Sequence, residues 1–356
     1  MSETRDLVTE TVQRIFQDLG DPQTVINSAG DSWRAPLWSA LEESGLTRAW
    51  VPEELGGAAL SISDSFAILQ VAGASAVAVP LAETMLAGWL AAQAGLELPE
   101  GAATVAPGLP GDSLTIDADG RVSGRARRTR FLAQTQTLVC VGSRGDDAVV
   151  ALVPTAGLNA VPGADPSDDP VDTVTLDGVA SSAHAVSRVD ADDFRHMAAA
   201  ARVMQMAGAM GGLMQRTVDY SMERVAFTRR IAKFQAVQHM LARFAEETAA
   251  AVAAANSVAY ALENAPQSEG KFDTRVMVEV AAAKIRAGEA AGEGAAIAHQ
   301  VHGAIGFTAE HPVHRYSQRL WSWRDDFGSE EEWAVKLGSH FAAQGSRGFW
   351  PAITAV

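Results

Sequence analysis

Few residues of this 356-residue chain could do chemistry, and most of them have a competing reading in packing. His302, His311 and His314 fall close together, yet the i, i+3 pair has no Cys or carboxylate at ligand spacing, so no metal site is expected. Gly208-Ala209-Met210-Gly211-Gly212 looks like a dinucleotide fingerprint, but no strand precedes it. Close helix packing explains it better. The single cysteine, Cys140, stands in an apolar run and reads as a small core residue. No G-x-S-x-G elbow, phosphate loop or H-E-x-x-H occurs. Trp321, Trp323 and Trp333 could stack on a flat cofactor, although core aromatics are the commoner use. That leaves Asp325-Asp326 and Glu330-Glu331-Glu332. Gly328-Ser329 would end one helix and cap the next, whose first turn the glutamates complement. Asp325 and Asp326 face the wrong end of a helix dipole, so they are either solvated or functional.

These residues must be positioned by a chain that can bury a core. Hydrophobic residues make up 47% and charged residues 20%, which excludes a wholly disordered protein. With 28 Lys+Arg against 43 Asp+Glu the net charge is −15, which argues against nucleic acid but leaves room for one anionic ligand on a local Arg cluster. Met1 to Asp6 is polar with no apolar segment behind it, so no signal peptide is expected. Val71 to Leu98 is broken by Pro80, Glu83 and Gln93 and reads as a buried helix–turn–helix, not a membrane insertion. A soluble protein of a reducing, cytoplasmic compartment is expected.

Three zones follow from texture: a helical domain over 1–100, a β domain over 101–192 and a helical bundle over 193–356. Val8, Val12, Ile15, Phe16 and Leu19 share one helix face, with Asp31-Ser32-Trp33 and Ser61 as cap candidates. Short runs at Ser113–Asp117, Arg121–Ser123, Thr137–Val141, Ala148–Val153 and Val174–Leu176 predict strands of a small barrel or sandwich. Apolar stripes from Val203, from Phe234, from Met277 and from Trp333 predict a four-helix bundle.

Three stretches together resemble the acyl-CoA dehydrogenase family. They are Gly45-Leu46 with Pro52-Glu53-Glu54-Leu55-Gly56-Gly57, then Tyr220 to Gln238, then Gln300 to Thr308 with Pro312 to Arg319. The resemblance spans nearly the whole chain in order. It implies a mostly α fold with a β middle domain: N-terminal helices, a small β-barrel and a C-terminal four-helix bundle. It also implies FAD, an acyl-CoA substrate, electron-transfer flavoprotein or a similar acceptor, and a homo- or hetero-oligomer built as a dimer of dimers. By that likeness Arg224 and Gln235 sit on the pyrophosphate and adenine side of FAD, and Phe227 and Phe234 count among the cofactor-binding residues. Gln300, Gly303 and Ala304 meet a neighbouring subunit's FAD, and Gly328 and Ser329 belong to the same cofactor set. An Arg fork suits a diphosphate, and small residues let backbone approach it. The implied chemistry is α,β-desaturation, in which a carboxylate removes the α-proton and the β-hydrogen leaves as hydride to the flavin.

The chain departs from that pattern at the base. Counting from Pro312, the family's catalytic Glu falls on Phe327, and the alternative base position, Met197 to Ala201, has no carboxylate. Thr228 replaces a Gly, and Arg128-Thr129-Arg130 stands where a Trp-Ile-Thr flavin contact would fall. Three readings result: a baseless subunit working with a catalytic partner; a self-sufficient enzyme with Asp326 as base; or a non-catalytic relative without flavin.

Overall fold

The computed structural model describes residues 3–28, 30–265, 271–345 and 349–351. Met1 and Ser2, at the polar start, lie outside the described residues. Helix α1 (Glu3–Leu19) buries Val12 and Phe16 from its apolar face. The Asp21 carboxylate caps α2 (Pro22–Asn27), and Pro22 supplies a first residue that needs no hydrogen-bond partner. Helix α3 (Arg34–Glu43) starts after Trp33 with no side-chain cap, because Asp31 instead pairs with Arg34 at 2.8 Å. Ser61 does cap α4 (Ile62–Ser75), accepting from the Asp64 N–H, and α5 (Leu81–Gln93) is buried along most of its length. No helix of the described residues is long and apolar enough to cross a membrane.

The middle of the chain forms one sheet from β1 (Ala103–Val105), β2 (Leu114–Ile116), β3 (Arg121–Arg130), β4 (Thr137–Arg144), β5 (Asp147–Pro154), β6 (Asn159–Pro162), β7 (Val171–Ala180) and β8 (Ala183–Val186). Strand order is β6-β7-β3-β2-β4-β5-β8, with β1 added in parallel to β4. Alternation divides its faces. Leu138 and Cys140 of β4 join one core with Val122, Val149 and Val174, while Val139 and Val141 pack with the helices. Burial pushes the Cys140 thiol up to about 12, consistent with a core role. The β3–β7 register breaks between Ala126 and Thr129, and Arg128 takes φ +55, so a bulge re-aims the end of β3.

The bundle comprises α6 (Ala191–Glu223), α7 (Gln235–Glu263), α8 (Thr274–His302), α9 (Val313–Asp325) and α10 (Glu330–Gln344), with a hairpin of β9 (Val225–Ala226) and β10 (Arg229–Arg230) between α6 and α7. The glycines of α6 let it approach α4 closely. A Cβ on Gly208 would strike the Gln70 carbonyl oxygen, one on Gly212 that of Ala74, and one on Gly73 of α4 that of Gln205. Gly208→Ala is therefore expected to lower stability by about 3 kcal/mol, the upper range for overpacking against backbone. Gly211→Ala, which meets nothing within 4 Å, should be neutral or stabilising, since alanine is the better helix former. Urea unfolding of the two variants checks the contrast.

Candidate functional site

The two departures of the sequence, at Arg128–Arg130 and at Asp326–Phe327, meet in space. Asp326 follows the last turn of α9, is 5% exposed, and is surrounded by guanidinium groups. Arg130 donates from Nε to Asp326 Oδ2 at 2.6 Å and from Nη2 to Oδ1 at 3.1 Å. Arg128 reaches Oδ1 at 3.0 Å, and Arg202 of α6 reaches Oδ2 at 3.0 Å. Arg128 stands in the bulge near the end of β3 and Arg130 ends the strand, so one strand end delivers both guanidiniums.

The cluster continues outward. Arg202 also donates to Gln205 and to Glu83 of α5. Arg130 donates to Asp165 at 3.0 Å and to Ser322, and Ser322 in turn donates to Asp165 at 2.7 Å. Lys284 of α8 donates to the carbonyls of Trp323, Arg324 and Asp326 at 3.2, 2.9 and 2.9 Å, satisfying the end of α9. Phe327 takes φ +56, and its carbonyl accepts from Arg195 Nε at 3.1 Å and Trp333 Nε1 at 3.2 Å. The space remaining among Glu83, Arg128, Arg130, Arg202, Asp326 and Phe327 is a cavity of ≈ 10 Å³, room for one water.

Electrostatics follow from this packing. Burial alone would raise the Asp326 carboxyl, but Arg130, Arg202 and Arg128 outweigh it and hold the group far below the usual carboxylate range. Asp165 is likewise lowered against burial, chiefly by Arg130. Burial brings Lys284 down to about 8, with Asp326 and Glu330 opposing. Burial also lowers His302 to about 4 against its bond to the Ala298 carbonyl, and lowers His196 to about 4 with help from Lys336. A group whose pKa is lower folded than unfolded binds fewer protons when folded, so its contribution is present above the unfolded pKa and lost as pH falls. Stability should thus decline as pH drops from 6.5 toward about 4 through His196 and His302. It should decline further below the ordinary carboxylate range through Asp165 and Asp326. Urea midpoints measured from neutral pH downward check this; a rising midpoint would contradict it.

A second locus is open. Arg224 caps the end of α6 and begins the β9–β10 hairpin, whose turn residues Phe227 and Thr228 have φ +50 and +68. Phe227 is 87% exposed and meets Phe234 edge-on at 6.3 Å, while the Arg229 guanidinium lies 4.2 Å from the Phe234 ring centre. Gln235 opens α7 and is exposed. Gln300, Gly303 and Ala304 are exposed at the end of α8, where Gly303 has φ +65. Tyr220, one turn before Arg224, stacks on His302 at 4.4 Å and donates to its carbonyl at 3.3 Å. Both helix ends therefore belong to one face of the bundle.

The residues singled out in the sequence thus divide in two. Arg224, Phe227, Phe234, Gln235, Gln300, Gly303 and Ala304 lie in the open locus, and Asp326, Gly328 and Ser329 in the closed one. Ser329 spends its hydroxyl capping α10, and a Cβ on Gly328 would meet Arg195 and Trp333 at 2.6 Å. Asp325 is half exposed in solvent, unlike Asp326. An Asp326 base is at odds with this arrangement, because a carboxylate neutralised by three guanidiniums is a poor proton acceptor. A flavin ring does not fit this chain's own closed locus, where ≈ 10 Å³ is left. The open locus does fit the other end of such a cofactor, offering an exposed guanidinium and aromatic faces.

Elsewhere, His302 is occupied by Tyr220 and the Ala298 carbonyl, and His314 by the His311 carbonyl at 2.7 Å. Among the described residues no group of three or more His, Cys, Asp or Glu is placed to hold a metal ion. Trp323 and Trp333 are buried, while Trp321 stacks near His299. Sequence reasoning missed Arg202, Asp165 and Lys284. Their available signal was a lone charge inside an apolar helix, as Arg202 and Lys284 are, since such a charge needs a partner.

Residues 192–325 match the family described as acyl-CoA dehydrogenase, C-terminal domain. The chain is 27% identical over 320 residues to the acyl-CoA dehydrogenase IpdE2 of Mycobacterium tuberculosis, covering 89% of this chain and 91% of that relative. Among solved structures it is similar to the ChsE4-ChsE5 complex from Mycobacterium tuberculosis, with TM-score 0.85, 22% identity and coverage of 97% of this chain and 99% of that one. It is also similar to a variant of the Tcur3481-Tcur3483 steroid ACAD, with TM-score 0.83, 24% identity and coverage of 96% and 98%.

Proposed function

Because this chain belongs to the acyl-CoA dehydrogenase family, we propose that it is the subunit of an FAD-dependent acyl-CoA dehydrogenase that carries no base of its own and works with a partner subunit that does. The observation that carries this reading is the pairing of Phe327 at the base position with an Asp326 neutralised by Arg128, Arg130 and Arg202. A solved relative that is a complex of two different chains, ChsE4 and ChsE5, supports the same arrangement.

Bound FAD supplies the two-electron acceptor for desaturating an acyl-CoA thioester. Arg224 would hold the diphosphate as a fork, and Gln235 and Gln300 would donate along it. Gly303 and Ala304 would let backbone come close to a cofactor whose ring lies in the partner. The partner would provide the carboxylate that takes the α-proton, and Phe327 and its buried surroundings would keep water out of this chain's interior. Electron-transfer flavoprotein or a similar acceptor would take the electrons onward. A bulky, steroid-type acyl chain is favoured by the likeness to a steroid ACAD.

Dye reduction with an acyl-CoA tests the reading. Activity should appear only when the chain is co-expressed with its partner subunit. Turnover by the chain alone would overturn it.

A further inference from the structure

The network around Asp326 draws side chains from every zone of the chain. Glu83 comes from α5, Arg128, Arg130 and Asp165 from the sheet and its β6–β7 loop, and Arg202, Ser322 and Asp326 from the bundle. Three guanidiniums face three carboxylates, and the side chains of Glu83, Asp165, Arg130, Arg202 and Asp326 are each 5% exposed or less. Burying such charges is unfavourable unless every one is paired. Three of the six ion pairs cross a zone boundary: Arg202 to Glu83 ties the bundle to the N-terminal helices, and Arg128 and Arg130 to Asp326 tie the sheet to the bundle. Two turns earlier on α9, Arg319 repeats the second tie by pairing with Asp169 at 2.7 Å, both side chains being 4% exposed. Moving any zone away would strand a buried charge.

We propose that this ion network is a domain lock that stands in for a bound ring, so that the chain reaches its final three-domain arrangement with no flavin of its own and presents the Arg224 face already formed. The proposal rests on the reading that the ring lies in the partner. It assigns Arg130, Asp326, Arg202 and Glu83 a joining role, distinct from any part in the reaction. Because the lock is internal, added flavin has nothing to stabilise in the isolated chain.

The test uses the full chain by itself, with thermal unfolding in the presence and absence of excess FAD and amide hydrogen exchange of wild type and Arg130→Met. The wild-type Tm should not move with FAD. Arg130→Met should lower Tm by about 8 °C or more, the consequence of stranding a buried partner charge. Exchange should rise together in three places: α5 around Glu83, the end of β3, and the end of α9. Should Arg130→Met fail to fold, Arg130→Lys and Glu83→Gln should give the same three-part pattern at smaller amplitude. A rise confined to β3, or a wild-type Tm raised several degrees by FAD, would overturn the lock. A colourless, inactive chain with exchange confined to β3 sinks the lock alone, whereas turnover by the isolated chain sinks the functional reading.

Discussion

Asp326→Asn is expected to cost about 3–5 kcal/mol of folding stability, the range for breaking a buried ion pair by removing one partner. The reason is local. The Asp326 carboxylate accepts four hydrogen bonds: Arg130 contacts both oxygens, Arg128 one and Arg202 the other. An amide of the same shape leaves three guanidiniums facing only two carboxylates, Asp165 and Glu83, at a position that is 5% exposed. If Asp326 were instead the base, the same change would leave stability nearly intact and lower turnover by about 100- to 10,000-fold, the range for general-base catalysis. In the two-subunit complex the reverse is expected: lower stability, and unchanged turnover per intact complex. Denaturant unfolding and dye reduction on one preparation separate the two outcomes.

Arg224→Ala is expected to weaken flavin retention by the two-subunit complex while leaving this chain's fold unchanged. Arg224 is exposed at the end of α6, so truncation removes no core contact. A charged hydrogen-bond partner of a diphosphate contributes about 1.5–3 kcal/mol, which is about a 10- to 150-fold rise in the flavin dissociation constant. Equilibrium titration followed by flavin fluorescence reads that change. Arg224→Lys should recover only part of it, because an ammonium keeps the charge and loses the fork. No change on Arg224→Ala would remove the open locus from the cofactor's path.

Much of this architecture was legible from residues in a row. The stripe Val12 and Phe16, the Ser61 and Ser329 caps, and the strands around Cys140 follow from periodicity and capping. Close packing of Gly208 and Gly212 also came from context, since no strand stood before them. Strands β1, β6 and β8 did not, because segments of three or four residues carry too little alternation to be told from loop. The candidate site was half legible. Phe327 announced a missing base and Arg128-Thr129-Arg130 a missing flavin contact, each as a separate oddity. Their union was not visible, because Arg130 and Asp326 are 196 positions apart and only the fold brings them together. Glu83, Arg202 and Lys284 offered the remaining clue, as lone charges in apolar helices whose partners no spacing could name.

Under the proposed function the closed locus of this chain holds ion pairs in place of a ring, and flavin resides in the partner alone. Counting bound flavin against chains in the purified two-subunit complex tests it most directly. Half as many flavins as chains are expected, with none retained by this chain when it is isolated. One flavin for every chain would contradict it.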